Sequence, residues 1–190
     1  MKKIISILGS TGSIGLTTFK IIDKKKNYFK IYLLAANKNA AVISRQIKKY
    51  KPKIFIISNE KIYKKIKNKF RNNKTKILNN FNLIKFSKSD FTVSAIPGIN
   101  GLQPTIKMVK HSKNILIANK ESVIYGWNFL KKEAYKYKTR IIPVDSEHFS
   151  IMKLIENHKL KNIEMIYITA SGGPFLNLPL KKFSKIKPKE

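Results

Sequence analysis

Short apolar segments alternate with longer amphipathic segments along the chain, and this alternation constrains the fold more than any other feature. The first strand is predicted at Lys3–Leu8 and the first helix at Ile14–Asp23. The other predicted strands are Phe29–Ala35, Ile54–Ile57, Phe91–Ile96, Ile115–Ala118, Arg140–Val144 and Ile163–Thr169. The other predicted helices are Ala41–Tyr50, Glu60–Phe70, Thr105–Lys110, Ser122–Lys136 and Phe149–His158. Alternation of this kind predicts an α/β fold built on a doubly wound, mostly parallel sheet.

A glycine-rich segment, Gly9-Ser10-Thr11-Gly12-Ser13-Ile14-Gly15, joins the first strand to the first helix. Glycines at this position let the backbone approach a pyrophosphate closely, and the first turn of the helix presents free N–H groups. Thr11 and Ser13 add hydroxyl donors. The spacing is GxxGxxG rather than the commoner GxGxxG, so a plain strand-to-helix turn without a ligand stays an alternative.

The second predicted strand ends in Ala35-Ala36-Asn37-Lys38-Asn39. NAD sites usually place a carboxylate here to hold the ribose hydroxyls, and no carboxylate is present. Lys38 could pair with a 2′-phosphate instead, which favours NADPH over NADH. The alternative interpretation, that Lys38 is one more solvated lysine in a lysine-rich chain, has equal weight.

Two further polar segments follow strands. Ala118-Asn119-Lys120-Glu121-Ser122 begins a helix, and Val144-Asp145-Ser146-Glu147-His148 follows the next strand. In an extended segment, Asp145 and Glu147 would point to the same side, as two oxygen ligands for Mg²⁺ or Mn²⁺. The alternative is that Asp145 caps a helix whose first turn contains Glu147.

The net charge of +30 has two interpretations. One is binding to nucleic acid or to an anionic membrane. The other is compositional drift toward Lys, Asn and Ile. Drift is favoured because the lysines are spread along the chain and Arg, on which phosphate recognition relies, occurs only at positions 45, 71 and 140. We therefore expect no specific nucleic-acid partner.

Membrane insertion and secretion are not indicated. No apolar run reaches the roughly 20 residues of a membrane-spanning helix. The apolar N-terminal segment breaks at Gly9 without a cleavage pattern, so we expect a cytoplasmic protein without a membrane partner. The chain contains no Cys, which excludes disulfides, thiolate metal sites and a cysteine nucleophile.

Four motifs, in this order and spacing, resemble the 1-deoxy-D-xylulose 5-phosphate reductoisomerase family. They are the glycine-rich turn, Leu116-Ile117-Ala118-Asn119-Lys120-Glu121-Ser122, Pro143-Val144-Asp145-Ser146-Glu147-His148 and Ala170-Ser171-Gly172-Gly173-Pro174-Phe175. The segment from Ala95 to Thr105 is also similar to the family. The resemblance covers essentially the whole chain.

The resemblance implies a role for each motif residue. The NADPH pyrophosphate would contact Thr11, Gly12, Ser13 and Ile14. The adenosine phosphate would contact Ala36, Asn37, Lys38 and Asn39. Asn119 and Glu121 would contact the nicotinamide half, and Lys120 the substrate. Asp145 and Glu147 would bind Mn²⁺, Mg²⁺ or Co²⁺. Ser146, Glu147 and Ser171 would contact the substrate, and Lys120 and Glu147 would be catalytic.

The resemblance also implies an activity and a domain organisation. The activity is rearrangement and NADPH-dependent reduction of a small phosphorylated sugar, 1-deoxy-D-xylulose 5-phosphate, to 2-C-methyl-D-erythritol 4-phosphate in isoprenoid precursor synthesis. Residues 1–144 would be a Rossmann-like NADPH-binding domain, and 145–190 the start of an α/β catalytic domain. The family continues with a lid, a phosphate site and a helical domain, so residues 1–190 alone are expected to lack turnover. The full-length enzyme is expected to be a homodimer. Another NADP-dependent oxidoreductase and a basic nucleic-acid-binding protein are the alternatives.

Overall fold

The computed structural model describes residues 1–82, 87–168, 175 and 177–186. Its strands within this part of the chain are β1 Lys3–Leu8, β2 Phe29–Ala36, β3 Ile54–Ile57, β4 Lys76–Leu78, β5 Ser89–Ser94, β6 Ser112–Ile117 and β7 Arg140–Pro143. They form one sheet in the order β4-β3-β2-β1-β5-β6-β7, and every neighbouring pair is parallel. The predicted doubly wound α/β sheet is therefore confirmed.

Within the described residues, five helices lie between consecutive strands and a sixth follows β7. They are α1 Ser13–Lys24, α2 Ala40–Tyr50, α3 Glu60–Lys69, α4 Leu102–Val109, α5 Lys120–Tyr137 and α6 Ser146–Ile155. A 3-10 turn at Ile99–Gly101 precedes α4. The predicted helices agree with these bounds within a few residues. The sequence did not predict β4, because only three residues form this edge strand and Lys76 is exposed.

The sheet has a hydrophobic core on each face. On one face α1, α2 and α3 contribute Phe19, Ile43 and Ile66 to a cluster that includes Phe55 and Ile57 of β3. On the other face, α4 and α5 pack Met108 and Leu130 into a cluster with Ile54 and Ile56 of the same strand. Successive residues of β3 thus point to opposite cores, which is why Ile54–Ile57 is apolar throughout.

The direction of strand order reverses beside β1. From β1 the chain moves through β2 and β3 to one edge, and then returns to place β5 on the other side of β1. The carboxyl ends of β1 and β5 therefore lie side by side at a switch point, where the flanking loops diverge to opposite faces. In open parallel sheets this crevice is the usual place for a ligand.

The chain divides into two compact units, residues 1–145 and residues 146–190. The second unit contains α6 and 3-10 turns at Leu160–Asn162 and Leu180–Lys185. Residues 163–168 carry no strand, so the predicted strand Ile163–Thr169 is wrong over its described part. Tyr167 and Ile168 are exposed there. No strand among the described residues pairs with this segment, so its backbone lacks the ladder of hydrogen bonds that makes a strand. Across the described residues, no helix has both the length and the apolar character needed to cross a bilayer.

Candidate functional site

The glycine-rich turn lies at the switch point and contacts the end of β5. Gly9 has φ +81°, and a Cβ atom at this position would collide with the carbonyl group of Ala95. The N–H groups of Gly9 and Ser10 both donate to the carbonyl oxygen of Ala35, at 2.9 and 2.8 Å. A side chain at Gly9 would therefore push the turn away from both neighbouring strands, and only glycine fits.

The turn is also tied to α2 by a buried pair of side chains. The Ser10 hydroxyl donates to Gln46 Oε1 and Gln46 Nε2 donates to the Ser10 carbonyl oxygen, each at 2.8 Å. Both residues are buried. The sequence analysis did not identify this pair, because a glutamine 36 residues from its partner leaves no local signal.

The start of α1 differs from the starts of three other helices. Asn39, Asn59 and Asn119 cap α2, α3 and α5 through side-chain oxygens that accept a backbone N–H. Gly12 occupies the same position in α1 and supplies no side-chain cap. The N–H groups of the first turn of α1 are therefore available to an external acceptor, at the positive end of the helix dipole.

The space around the turn is open on the side of Gly12. A Cβ at Gly12 would meet only the Gly9 carbonyl oxygen, at 3.5 Å, which is ordinary contact. At Gly15 a Cβ would collide with backbone atoms of Gly9 and Ser10. Gly15 is thus required for packing α1 against the turn, whereas the fold itself does not require glycine at position 12.

The end of β2 continues the same edge of the sheet. Ala36 is buried, whereas Asn37, Lys38 and Asn39 are exposed. Asn39 Oδ1 accepts the N–H of Val42 at 3.1 Å, and this cap fixes the residue as the boundary between β2 and α2. Lys38 directly precedes the cap, so its ammonium group is free to reach an anion at the carboxyl edge.

Asn119 holds the loop after β5 against the start of α5. Its Nδ2 donates to the carbonyl oxygens of Ile96 and, at 2.9 Å, Gly98, while its Oδ1 accepts the N–H of Ser122 at 2.6 Å. The residue is only 4% exposed. Both amide hydrogens are thus used within the protein, and any cofactor contact by Asn119 falls to its backbone or to the remaining lone pair of Oδ1.

Lys120 and Glu121 form the first turn of α5. Lys120 is exposed and Glu121 is partly buried. A cation at the first position of a helix faces the positive end of the dipole, an arrangement that costs a few tenths of a kcal/mol to about 1 kcal/mol. A charge that opposes the helix dipole in this way is typical of a functional position.

The predicted metal ligands fall at the boundary of the two units. Asp145 is the last residue of the first unit, and Glu147 lies in the first turn of α6. The chain is helical over Ser146–Ile155, so the extended geometry used to pair the two acids does not apply. The Ser146 hydroxyl donates to Glu147 Oε2 at 2.9 Å.

Within residues 1–82, 87–168, 175 and 177–186, no three Asp, Glu or His side chains are grouped as a metal site. Ser171 lies outside the described residues. The metal and substrate roles assigned to these residues stay predictions.

Residues 5–126 match the family model described as 1-deoxy-D-xylulose 5-phosphate reductoisomerase, and residues 141–190 match the model of its C-terminal domain. The chain belongs to this family. The resemblance seen in the four motifs is thereby confirmed.

Individual reductoisomerases agree with this assignment. The enzyme of Pelagibacter ubique strain HTCC1062 is 48% identical over 100% of the chain and 50% of the relative. The structure of the Zymomonas mobilis reductoisomerase in complex with NADPH has a TM-score of 0.85 at 27% identity, covering 100% of this chain and 51% of that one. A reductoisomerase in complex with NADPH, fosmidomycin and magnesium has a TM-score of 0.79 at 28% identity, covering 98% and 50%. The chain spans about half the length of these reductoisomerases.

Proposed function

We propose that this chain forms the NADPH-binding part of a 1-deoxy-D-xylulose 5-phosphate reductoisomerase. The observation that carries the proposal is the uncapped start of α1, open beside Gly12 and placed at the switch point of the sheet. Backbone N–H groups at a helix start that has no side-chain cap fit a pyrophosphate. Thr11, Ser13 and Ile14 would complete this cradle.

The end of β2 supports NADPH rather than NADH as the cofactor. No carboxylate is available among Ala36, Asn37, Lys38 and Asn39 to accept hydrogen bonds from a free 2′-hydroxyl. The Lys38 ammonium would pair with the 2′-phosphate. The reductoisomerase from Zymomonas mobilis, which is similar along the whole chain, was solved with NADPH.

The start of α5 would hold the reacting groups. When bound, NADPH supplies the hydride for the reduction, and the protein orients it. Asn119 would position the loop beside the nicotinamide and Glu121 would contact that half of the cofactor. Lys120 would place a positive charge against the substrate oxygen on which negative charge develops.

A divalent cation, Mn²⁺, Mg²⁺ or Co²⁺, would be held by Asp145 and Glu147, which offer the hard oxygen ligands that such cations prefer. When bound, the cation acts as a Lewis acid during the rearrangement. Ser146, Glu147 and Ser171 would contact the phosphorylated sugar. A related reductoisomerase was solved with magnesium and fosmidomycin.

Cofactor choice is tested by titrating the chain with NADPH and NADH by isothermal calorimetry. Wild type should bind NADPH more tightly than NADH. Lys38→Gln should weaken NADPH by about 10-fold or more, the equivalent of one charge-assisted hydrogen bond, and leave NADH unchanged. Lys110→Gln, an exposed lysine at the end of α4, is the control for the general positive charge. Equal loss in both variants, or DNA binding tighter than NADPH binding, would sink the proposal.

The reaction is tested in a chimera that joins residues 1–190 to the second half of the Pelagibacter ubique relative. The chimera should oxidise NADPH only with 1-deoxy-D-xylulose 5-phosphate and a divalent cation, whereas residues 1–190 alone should bind NADPH without turnover. Asp145→Ala should lower the rate by about 100-fold or more, since even outer-shell partners of a metal are worth about 10–100-fold. Turnover that survives both a chelator and Asp145→Ala would reject the metal role. Homodimer formation and a cytoplasmic location stay predictions.

A further inference from the structure

We infer that Gln46 is a positioning residue for NADPH. It acts through Ser10, by fixing the glycine-rich turn relative to the adenosine end of the site. The inference rests on the proposed function, because it assigns a role in binding the same cofactor. Gln46 touches neither phosphate in this scheme. It would act by holding the backbone that does.

The contact is reciprocal and complete. Gln46 offers one acceptor and one donor to Ser10, and Ser10 answers with its hydroxyl and its carbonyl oxygen, both at 2.8 Å. The remaining backbone group, the Ser10 N–H, donates to the Ala35 carbonyl oxygen at 2.8 Å. All three polar groups of Ser10 are therefore used, and the turn has one defined orientation at this residue.

Burial makes the geometry of the pair demanding. Ser10 is fully buried and Gln46 is 4% exposed, and the flanking Ile43 and Ile47 are fully buried in the same core. In such surroundings no water can replace a lost hydrogen bond, so the amide is stable only while both bonds to Ser10 are kept. A leucine would fill the volume but would not specify where the Ser10 carbonyl points.

The position of Gln46 on α2 links the two ends of the cofactor site. The same helix begins at the cap residue Asn39, next to Lys38. Gln46 lies seven positions after Asn39, which is about 10 Å along a rigid helix. One end of α2 thus faces the adenosine phosphate of the proposed site, and its next turns hold the residue that precedes Thr11 and Gly12.

A purely structural role predicts something different. Loss of a buried hydrogen-bonded pair would then lower stability and leave cofactor affinity unchanged. Thr139 provides the matched control, because its buried hydroxyl contacts the carbonyl oxygens of Val109 and Ser112 at 2.8 and 2.9 Å. Thr139 directly precedes β7, so it lies at the amino ends of the strands, whereas the switch point lies at their carboxyl ends.

The test compares NADPH affinity and thermal stability of the full chain for wild type, Gln46→Leu, Ser10→Ala and Thr139→Val. Gln46→Leu should raise the NADPH Kd by about 10-fold or more, the loss of a positioned phosphate contact. Thr139→Val should lower Tm about as much as Gln46→Leu does, but it should change the NADPH Kd by less than about twofold. Ser10→Ala keeps the bond from Gln46 Nε2 and should give an intermediate Kd. It also provides the readout if Gln46→Leu does not fold.

A second ligand separates positioning from general damage. Adenosine 2′-monophosphate engages only the β2–α2 end, so its affinity should change by less than about twofold in Gln46→Leu. If Gln46→Leu, or Ser10→Ala in its place, binds NADPH as wild type does, the inference is overturned. A drop in affinity for both ligands that follows Tm in all variants also overturns it. Failure of wild type itself to bind NADPH overturns the proposed function, and this inference with it.

Discussion

The side-chain amide of Asn119 donates to the carbonyl oxygen of Gly98 at 2.9 Å, across 21 residues of chain. The same side chain accepts the N–H of Ser122 and so also caps α5. One residue therefore fixes both the loop after β5 and the start of α5. The two segments border the switch point, so the shape of the site there depends on Asn119.

Asn119→Ala is expected to destabilise the protein by about 2–4 kcal/mol, because it removes a helix cap and leaves two carbonyl oxygens without their donor. Asn59→Ala is the control, since Asn59 is also a cap, and the one bond that its side chain makes to the described residues is with the N–H of Ile62. It should cost about 1 kcal/mol. Urea unfolding measures both. Equal costs would show that the bonds to Ile96 and Gly98 contribute nothing.

Gly12→Ala and Gly15→Ala should separate binding from folding. An alanine at Gly12 meets only ordinary contact, so Tm should change by less than about 2 °C, while NADPH affinity falls because the methyl group occupies the phosphate cradle. An alanine at Gly15 collides with the backbone of Gly9 and Ser10 and should cost several kcal/mol, on the order of an overpacked core. Thermal melts with and without NADPH distinguish the two. Normal NADPH binding by Gly12→Ala would contradict the cradle.

Asp90 predicts an acid-sensitive contribution to stability. The backbone N–H of Ile4 and, second, the Lys113 ammonium lower the pKa of the Asp90 carboxyl group below its usual range. A lowered folded pKa means that the contribution is complete at neutral pH and is lost as the pH falls from about 4 through the folded value. The free-energy difference between wild type and Asp90→Asn should be about 1–2 kcal/mol at pH 7 and shrink toward pH 3.

Asp23 serves as the comparison for this effect. The Asp23 carboxylate accepts a hydrogen bond from the Lys49 ammonium, which lowers the pKa of Asp23. The Asp23 side chain is 32% exposed, however, against 16% for Asp90. Solvent screens the more exposed pair, so Asp23→Asn should cost about 0.5 kcal/mol or less at pH 7. Urea unfolding at several pH values tests both. A difference for Asp90→Asn that stays constant with pH would refute the assignment.

Ser122 should be replaceable by alanine without loss of stability. Its hydroxyl is buried and finds no hydrogen-bond partner among the residues that the structure describes. An unpaired buried hydroxyl costs about 1–3 kcal/mol, so Ser122→Ala should leave Tm unchanged or raise it. Ser112→Ala is the control, because that hydroxyl bonds to Thr92 and to the Met108 carbonyl, and its loss should lower Tm. A lower Tm for Ser122→Ala would reveal a bonded partner such as a buried water.

Much of the fold followed from local pattern. The runs in β3 and β6 are short and apolar because both faces of a parallel strand are covered, and such runs alternate with helices that have one apolar face. The same rule mispredicted a strand over residues 163–168, the described part of Ile163–Thr169. An apolar run shows what a strand would look like, but a strand exists only where a neighbour accepts its hydrogen bonds.

The sequence by itself determined the α/β class, the family and the turn that begins α1, since these depend on spacing along the chain. The tertiary structure decided which residues hold that turn in place. Gln46 meets Ser10 because β2, which leads into α2, pairs with β1, and Asn119 meets Ile96 and Gly98 because β6 pairs with β5. Long-range hydrogen bonds leave no periodic trace in a sequence, because their partners are set by the packing of elements and not by the chain between them.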